Sequence, residues 1–149
     1  MIAFREATRA DIPAILALLR DDRLGTDRET RDLSDYEAAF DAMERETFNM
    51  IILGETEGRV VATCQLTFIS GLSLRATRRA QVESVRVASD LRGQGVGHAM
   101  MAEVERRATD AGCRMLQLTM HTSRDRTRTF YESLGYTPSH IGFKATLPR

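Results

Sequence analysis

Cysteine is scarce in this sequence, tryptophan is absent, and neither sign of charge is in excess. Cys64 and Cys113 are too few for a disulfide framework, and no Cys/His cluster has zinc spacing. Reduced, partly buried thiols are expected, and no metal. Lys+Arg and Asp+Glu both number 21, so no global field draws the chain to nucleic acid or to an anionic membrane. No run approaches the ~18 apolar residues of a membrane-spanning helix. Residues 1–9 lack the apolar stretch of a signal peptide, which makes a cytoplasmic protein the default expectation. There is no linker, repeat or low-complexity segment.

What remains is 149 residues with 42% hydrophobic content, the length of one domain (1–149) with a sizeable core. Strand and helix patterns alternate, which points to an α/β or α+β architecture. Ile2-Ala3-Phe4-Arg5 reads as a first strand. Thr8 and Asp11 form a possible capping box, and Asp11 as cap with Pro13 in the first turn is equally open. Ile12, Ile15, Leu16 and Leu19 then mark one helix face. Residues 20–33 read as a polar loop around Gly25. Ser34 to Glu37 repeats the capping-box pattern before Tyr36, Phe40 and Met43. Residues 50–53 and 59–69 are strand-like around a Glu55-Thr56-Glu57-Gly58 turn. After a basic loop over 71–79, residues 81–87 alternate. Strict alternation puts Val82, Ser84 and Arg86 on one side and Glu83, Val85 and Val87 on the other. A helix opening at residues 93–97 carries Val96, Met100, Val104, Ala108 and Ala111 on its apolar face and stops at Gly112. A strand over 115–119, a short helix over 126–134 and a last strand over 136–147 complete the chain.

The most informative stretch runs from strand to helix through Arg92-Gly93-Gln94-Gly95-Val96-Gly97. Glycines at alternate positions permit unusual dihedrals and close approach of a ligand to backbone. Successive N–H groups at a helix start make an anion site that suits a pyrophosphate. The spacing fails the G-x-G-x-x-G dinucleotide fingerprint, because His98 and Met100 stand where a third glycine should, and no Gly-Lys-Ser/Thr is present. The glycines alone also fit a turn that only packs the helix closely.

These residues resemble the GNAT superfamily, the GCN5-related N-acetyltransferases. The Arg/Gln-x-x-Gly-x-Gly/Ala pattern is matched in full from Arg92 to Gly97. Phe130-Tyr131-Glu132-Ser133-Leu134-Gly135-Tyr136 resembles the family's downstream helix, and Phe4-Arg5-Glu6-Ala7-Thr8 followed by Asp11 its opening. The resemblance implies one domain with a strongly bent mixed sheet of six to seven strands flanked by about four helices. Its fourth and fifth strands would splay to admit the pantetheine arm of acetyl-CoA. Backbone groups of Val85 and Val87 would meet the pantetheine and acetyl carbonyl. The amides of Gly93, Gln94, Gly95, Val96 and Gly97, with Arg92 nearby, would hold the pyrophosphate, and His98 would face the cofactor. Arg124 stands where many relatives carry a cofactor-touching Asn, amid an arginine-rich stretch that includes Arg126 and Arg128.

The implied reaction is attack of a primary amine, of a small molecule or a peptide, on the thioester in a ternary complex. An alkylamine sits near pKa ~10.4, so a base is useful. Glu83 is the candidate, because carboxylates are uncommon in mid-strand unless the face is wet or functional. A structural carboxylate paired with an arginine is the alternative. Gln81 shares its face and could hold a water. His121 is a rival base, and His140 reads as structural. A strand N–H such as that of Val85 would stabilise the developing negative oxygen. Tyr131, at the family's acid position, would protonate the thiolate.

The first loop mixes Asp21, Asp22, Asp27 and Asp32 with Arg20, Arg23, Arg28 and Arg31 and selects no charge of acceptor. Arg75, Arg78 and Arg79 in the second loop could favour an acidic acceptor or a partner chain, or simply be solvated. A sensor that binds acetyl-CoA or another acyl-CoA without turnover is the competing function. Nucleic-acid binding through the arginine clusters is opposed by the zero net charge. A homodimer would follow the family's habit.

Overall fold

The computed structural model describes residues 1–22 and 26–148. The expected loop around Arg23 and Gly25 therefore lies partly outside the described residues. The chain forms two compact units, residues 1–117 and 118–149.

The first unit is a five-stranded sheet in the order β1-β2-β3-β4-β5: β1 (Ala3–Glu6), β2 (Asn49–Thr56), β3 (Arg59–Ile69), β4 (Arg79–Val87) and β5 (Met115–Leu118). The first four strands pair antiparallel. β5 meets β4 where Arg114 N–H donates to the Arg78 carbonyl at 2.9 Å and Gln117 Nε2 to Gln81 Oε1 at 2.7 Å. Both strands advance three residues between these contacts, so this last pair runs parallel and the sheet is mixed.

β2 and β3 are joined by Glu57 (φ 51°) and Gly58 (φ 74°), two left-handed residues whose turn matches the twist of a hairpin. α1 (Ile12–Arg20) follows a 3-10 turn at Arg9–Asp11. Asp11 accepts from the Thr8 N–H at 2.7 Å and from Arg5 Nη1 and Nη2 at 2.7 and 2.8 Å. Arg5 also holds Glu55 at 2.6 Å. These bonds tie β1, β2 and the start of α1 together. α2 (Leu33–Arg45) begins earlier than the Ser34–Glu37 pattern suggests, with Asp32 in the extended cap position. The segment Ser73–Ala76 (α3) includes Leu74, Arg75 and Ala76 at φ 51–61°, a left-handed turn before β4.

Directly opposed residues share a face of the sheet. One face holds Ile52 opposite Cys64, Leu66 opposite Val82, and Ala62 opposite Val87. α4 (Val96–Asp110) covers it, with Met100 Sδ 3.6 Å from Cys64 Sγ. Ile52, Cys64, Leu66, Val82, Met100 and Val104 are at most 1% exposed. Burial pushes the Cys64 thiol up to about 12, which keeps it protonated and inert. Cys113 is also free, and half-buried.

The other face holds Asn49 opposite Thr67, Ile51 opposite Gln65, Gln65 opposite Glu83, and Thr67 opposite Gln81. Ile51 packs on a cluster of Ile12, Leu16 and Phe40 from α1 and α2. Leu53 opposite Thr63 is buried on this face too, and toward Asn49, Gln65, Thr67, Gln81 and Glu83 the face turns polar.

The second unit holds α5 (Asp125–Ser133), ended by Gly135 at φ 88°. The strand expected over residues 136–147 does not form, which leaves five strands among the described residues rather than six or seven. A strand needs a ladder, and the alternating Ile141 and Phe143 are 83% and 93% exposed.

Candidate functional site

β4 leaves the sheet at Val87 and passes through a 3-10 turn (Ser89–Leu91) into the glycine segment. Gly93 takes φ 76° and Gly95 φ 84°, and a Cβ on either would meet nothing within 4 Å. The dihedral, not crowding, demands glycine, and the space above both is open. The first bond of α4 runs from Ala99 N–H to the Gly95 carbonyl at 3.0 Å. The N–H groups of Val96 and Gly97 precede it and, as first-turn donors, have no acceptor within the helix. They form a cradle at the positive end of a 15-residue helix. Val96 gives only its N–H to this cradle, since its side chain is 5% exposed and belongs to the core. The His98 side chain is exposed on the first turn, and Gln94 Nε2 donates to the Asp90 carbonyl at 2.9 Å.

Arg92 is engaged with protein. Its Nε donates to the Val87 carbonyl at 3.1 Å, and its guanidinium reaches the Asp21 carbonyl and, at 3.9 Å, the Asp21 carboxylate. Ser89 N–H donates to that carboxylate at 2.7 Å, and this bond, more than Arg92, holds the Asp21 carboxyl below its usual range. Arg86 pairs with Asp22 at 3.3 Å, both mostly buried, and donates to the Val85 carbonyl at 2.9 Å. Asp21 and Asp22 thus brace the end of α1 against β4 and the glycine turn. In sequence they belong to a loop of near-neutral charge, and partners more than sixty residues away leave no local signal.

β4 departs from strict alternation. Its register shifts between Thr63 and Gln65, so Ser84 and Val85 together oppose Cys64, with Ser84 at φ 53°. This is a β-bulge. It corrects the expected faces. Glu83 shares its face with Gln65, Thr63 and Arg86, whereas Val87 lies with Ala62 and Val82 on the opposite one. Glu83 and Val87 do not point the same way, because one extra residue inverts the parity of everything after it. Gln81 does share Glu83's face, as expected.

Glu83 is exposed and makes no hydrogen bond or ion pair among the described residues. No arginine among the described residues pairs with it, as one would with a structural carboxylate. Around it the amides are linked: Gln81 to Gln117 at 2.7 Å, Gln65 Nε2 to Asn49 Oδ1 at 2.8 Å, and Asn49 Nδ2 to Glu46 at 2.5 Å. A recess of ≈ 250 Å³ between α2 and β2, lined by Phe40, Met43, Thr47, Asn49 and Ile51, opens beside this network.

In the second unit, Tyr131 is half-buried and stacks edge-on against Phe130 (centroids 5.1 Å) and Tyr136 (5.8 Å). Tyr136 N–H donates to the Tyr131 carbonyl at 3.1 Å, closing the helix over Gly135 and fixing the ring's backbone. His121 is exposed, and its Nδ1 accepts the Ser123 N–H at 3.2 Å. Arg128 is paired with Glu132 at 3.0 Å along α5, while Arg126 is exposed. His140 contacts Ser139 at 2.7 Å and lies in no strand.

Among the described residues no three His, Cys, Asp or Glu side chains gather as a metal site, and no helix is long and apolar enough to cross a membrane.

Comparison with known proteins adds to this geometry. A transcriptional regulator from Bacillus halodurans C-125 is 33% identical, with 99% of this chain and 100% of that chain covered and a TM-score of 0.93. A putative acetyltransferase from Agrobacterium tumefaciens C58 is 24% identical, with 97% and 99% covered and a TM-score of 0.84. A predicted acetyltransferase from Clostridium acetobutylicum, solved with acetyl-CoA, is 16% identical, with 99% and 97% covered and a TM-score of 0.74, and shares the fold. No curated protein matches the chain. The family model for acetyltransferases of the GNAT family matches residues 12–136, from the first helix through the closing turn of α5. With that span and the glycine cradle in place, the chain belongs to the GNAT acetyltransferase family.

Proposed function

We propose that the protein transfers the acetyl group of acetyl-CoA to a primary amine, of a small molecule or a peptide, by direct attack in a ternary complex. The observation that carries this reading is the cradle at Gly93–Gly97. Two left-handed glycines leave open space beside the first N–H groups of α4, which suits a pyrophosphate. Acetyl-CoA supplies the thioester. The amides of residues 93–97 bind its pyrophosphate, and Arg92 shapes the turn by bracing Val87 and Asp21. The β4 bulge gives Ser84 and Val85 backbone that departs from the regular ladder, and the N–H of Val85 is our donor to the developing negative oxygen. Glu83, a carboxylate with no partner among the described residues, takes the amine's proton directly or through a water that Gln81 helps to hold. Tyr131 is assigned the acid role by its place in the family motif, and its donor passes a proton to the departing thiolate. Residues 1–149 act as one acetyltransferase domain on this reading, and cytoplasmic location goes with it.

A second reading has one observation in its favour, since the 33% identical Bacillus protein is described as a transcriptional regulator. On that reading the chain senses an acyl-CoA without turnover. Calorimetric titration with acetyl-CoA, against NADH and ATP as controls, tests the shared premise, and thiol release in the presence of amines separates the two. Selective acetyl-CoA binding that is lost in Gly95→Asp, with amine-dependent thiol release, supports the enzyme. Binding without release favours the sensor. Acetyl-CoA binding no tighter than the controls removes both.

A further inference from the structure

We infer that the acceptor carries an anionic group, a carboxylate or a phosphate, as well as its amine, and that Arg79 receives it. This inference rests on the acetyltransferase reading of the face that holds Glu83.

The segment before and at the start of β4 supplies Arg75, Arg78 and Arg79, and the structure divides them by role. Arg75 is exposed in the left-handed turn. Arg78 lies on the α4 side. Its guanidinium carbon sits 4.8 Å from the Phe48 ring centre and 5.5 Å from that of Phe68, and its Nη1 donates to the Ala111 carbonyl at 2.7 Å. That side chain holds the end of α4 to the sheet.

Arg79 points the other way. It opposes Ile69 and shares its face with Gln81 and Glu83. It is half-buried, and its guanidinium has no hydrogen bond or ion pair among the described residues. Its Nε is fully withdrawn from solvent without an acceptor. The Arg78 Nε is equally unbonded, but the rest of that group has its carbonyl and its rings. A guanidinium taken partly out of water with none of its five donors matched is unfavourable, and such a group calls for a ligand acceptor. Carboxylate and phosphate are the partners whose geometry its planar fork fits.

Charge fixes the direction in which an acceptor would lie. Glu83 attracts an ammonium and repels an anion, and Arg79 does the reverse. The two are four residues apart on one strand, about 13 Å between Cα atoms. Both side chains are long enough to shorten that span for the ligand. Between them Gln81, and beside them Gln65 and Asn49, offer neutral amides to the body of the molecule. The face therefore selects a short zwitterionic acceptor, held with its amine at Glu83 and its anion at Arg79.

The test is a panel of ω-amino carboxylic acids and ω-aminoalkyl phosphates of graded length, each beside its uncharged amide or alcohol, assayed for thiol release from acetyl-CoA. We expect the anionic members to exceed their neutral counterparts by at least about tenfold in kcat/KM, the worth of one charge-assisted pair. Whether carboxylates or phosphates lead identifies the anion. Arg79→Gln should abolish the preference through KM, while Arg79→Lys, which keeps a point charge, should retain part of it. Acetyl-CoA titration of each variant reports that it is folded. Equal use of anionic and neutral acceptors by the unaltered protein overturns the inference alone, as does a preference that persists in Arg79→Gln. No transfer to any amine, with acetyl-CoA bound, overturns the N-acetyltransferase reading and the acceptor assignment with it.

Discussion

The two faces of the sheet in residues 1–117 are built from the same strands and end with opposite characters. On the α4 side, Ile52, Cys64, Leu66 and Val82 meet Met100 and Val104 with almost no exposure. Even the arginine on that side, Arg78, has rings and a carbonyl. On the α1/α2 side an apolar patch at Ile51 gives way to Asn49, Gln65, Thr67, Gln81 and Glu83. There the amides bond one another, while Glu83 and Arg79 keep no partner among the described residues. A group that the fold does not use is free for a ligand. The first face is apolar along its length, whereas the second combines a buried apolar part at Ile51 and Leu53 with a polar part that carries Glu83 and Arg79.

Variants can break this contrast. Met100→Ala empties the centre of the α4 face and should cost about 2–5 kcal/mol, measured by urea denaturation. A loss below about 1 kcal/mol would mean that this face is not the core. Ser84→Val places a β-branched residue in a left-handed conformation and should cost about 1–2 kcal/mol in the same assay. Ser84→Gly should be neutral or mildly stabilising, and a Val variant as stable as the Gly one would deny the bulge. Acid should weaken the protein through the β1–α1 corner. Arg5, more than any other neighbour, holds the Asp11 carboxyl well below the usual range. Its contribution is therefore complete above about pH 4 and is lost as pH falls further, toward Asp11's own pKa. Urea midpoints from pH 7 downward should fall less in Asp11→Asn than in the unaltered protein, and parallel curves would contradict this. Smallest of all, Gln65→Ala on the polar face should change stability by no more than about 0.5–1 kcal/mol, because its amide bond is partly solvated.

Local signals were the legible ones. The strand–glycine–helix turn stood out because its dihedrals demand glycine at Gly93 and Gly95. Of the apolar series expected from helical spacing, Val96, Met100, Val104 and Ala108 are buried, while Ala111 caps the helix and is half-buried. The Glu57-Gly58 turn carried its own signature. Three features depended on tertiary pairing and were not legible. The bulge places a serine, not a glycine, in the left-handed region, so alternation alone assigned Glu83 and Val87 to one face. The braces Asp21–Ser89 and Asp22–Arg86 join distant segments. The segment 136–147 has a strand's alternation without a ladder to join. Of the site, the cradle and the shared face of Gln81 and Glu83 were readable. The difference between Arg78 and Arg79 was not, since adjacent residues on a strand diverge only once the sheet gives each face its own neighbours.

The most direct measurement is a paired one on Glu83→Gln, with acetyl-CoA affinity by calorimetry and amine-dependent thiol release by rate. The contrast between the faces predicts an unchanged Kd and a turnover lower by about 10²–10⁴-fold, the usual worth of a general base. Unchanged turnover, or a loss of affinity that accounts for the whole drop in rate, would contradict it.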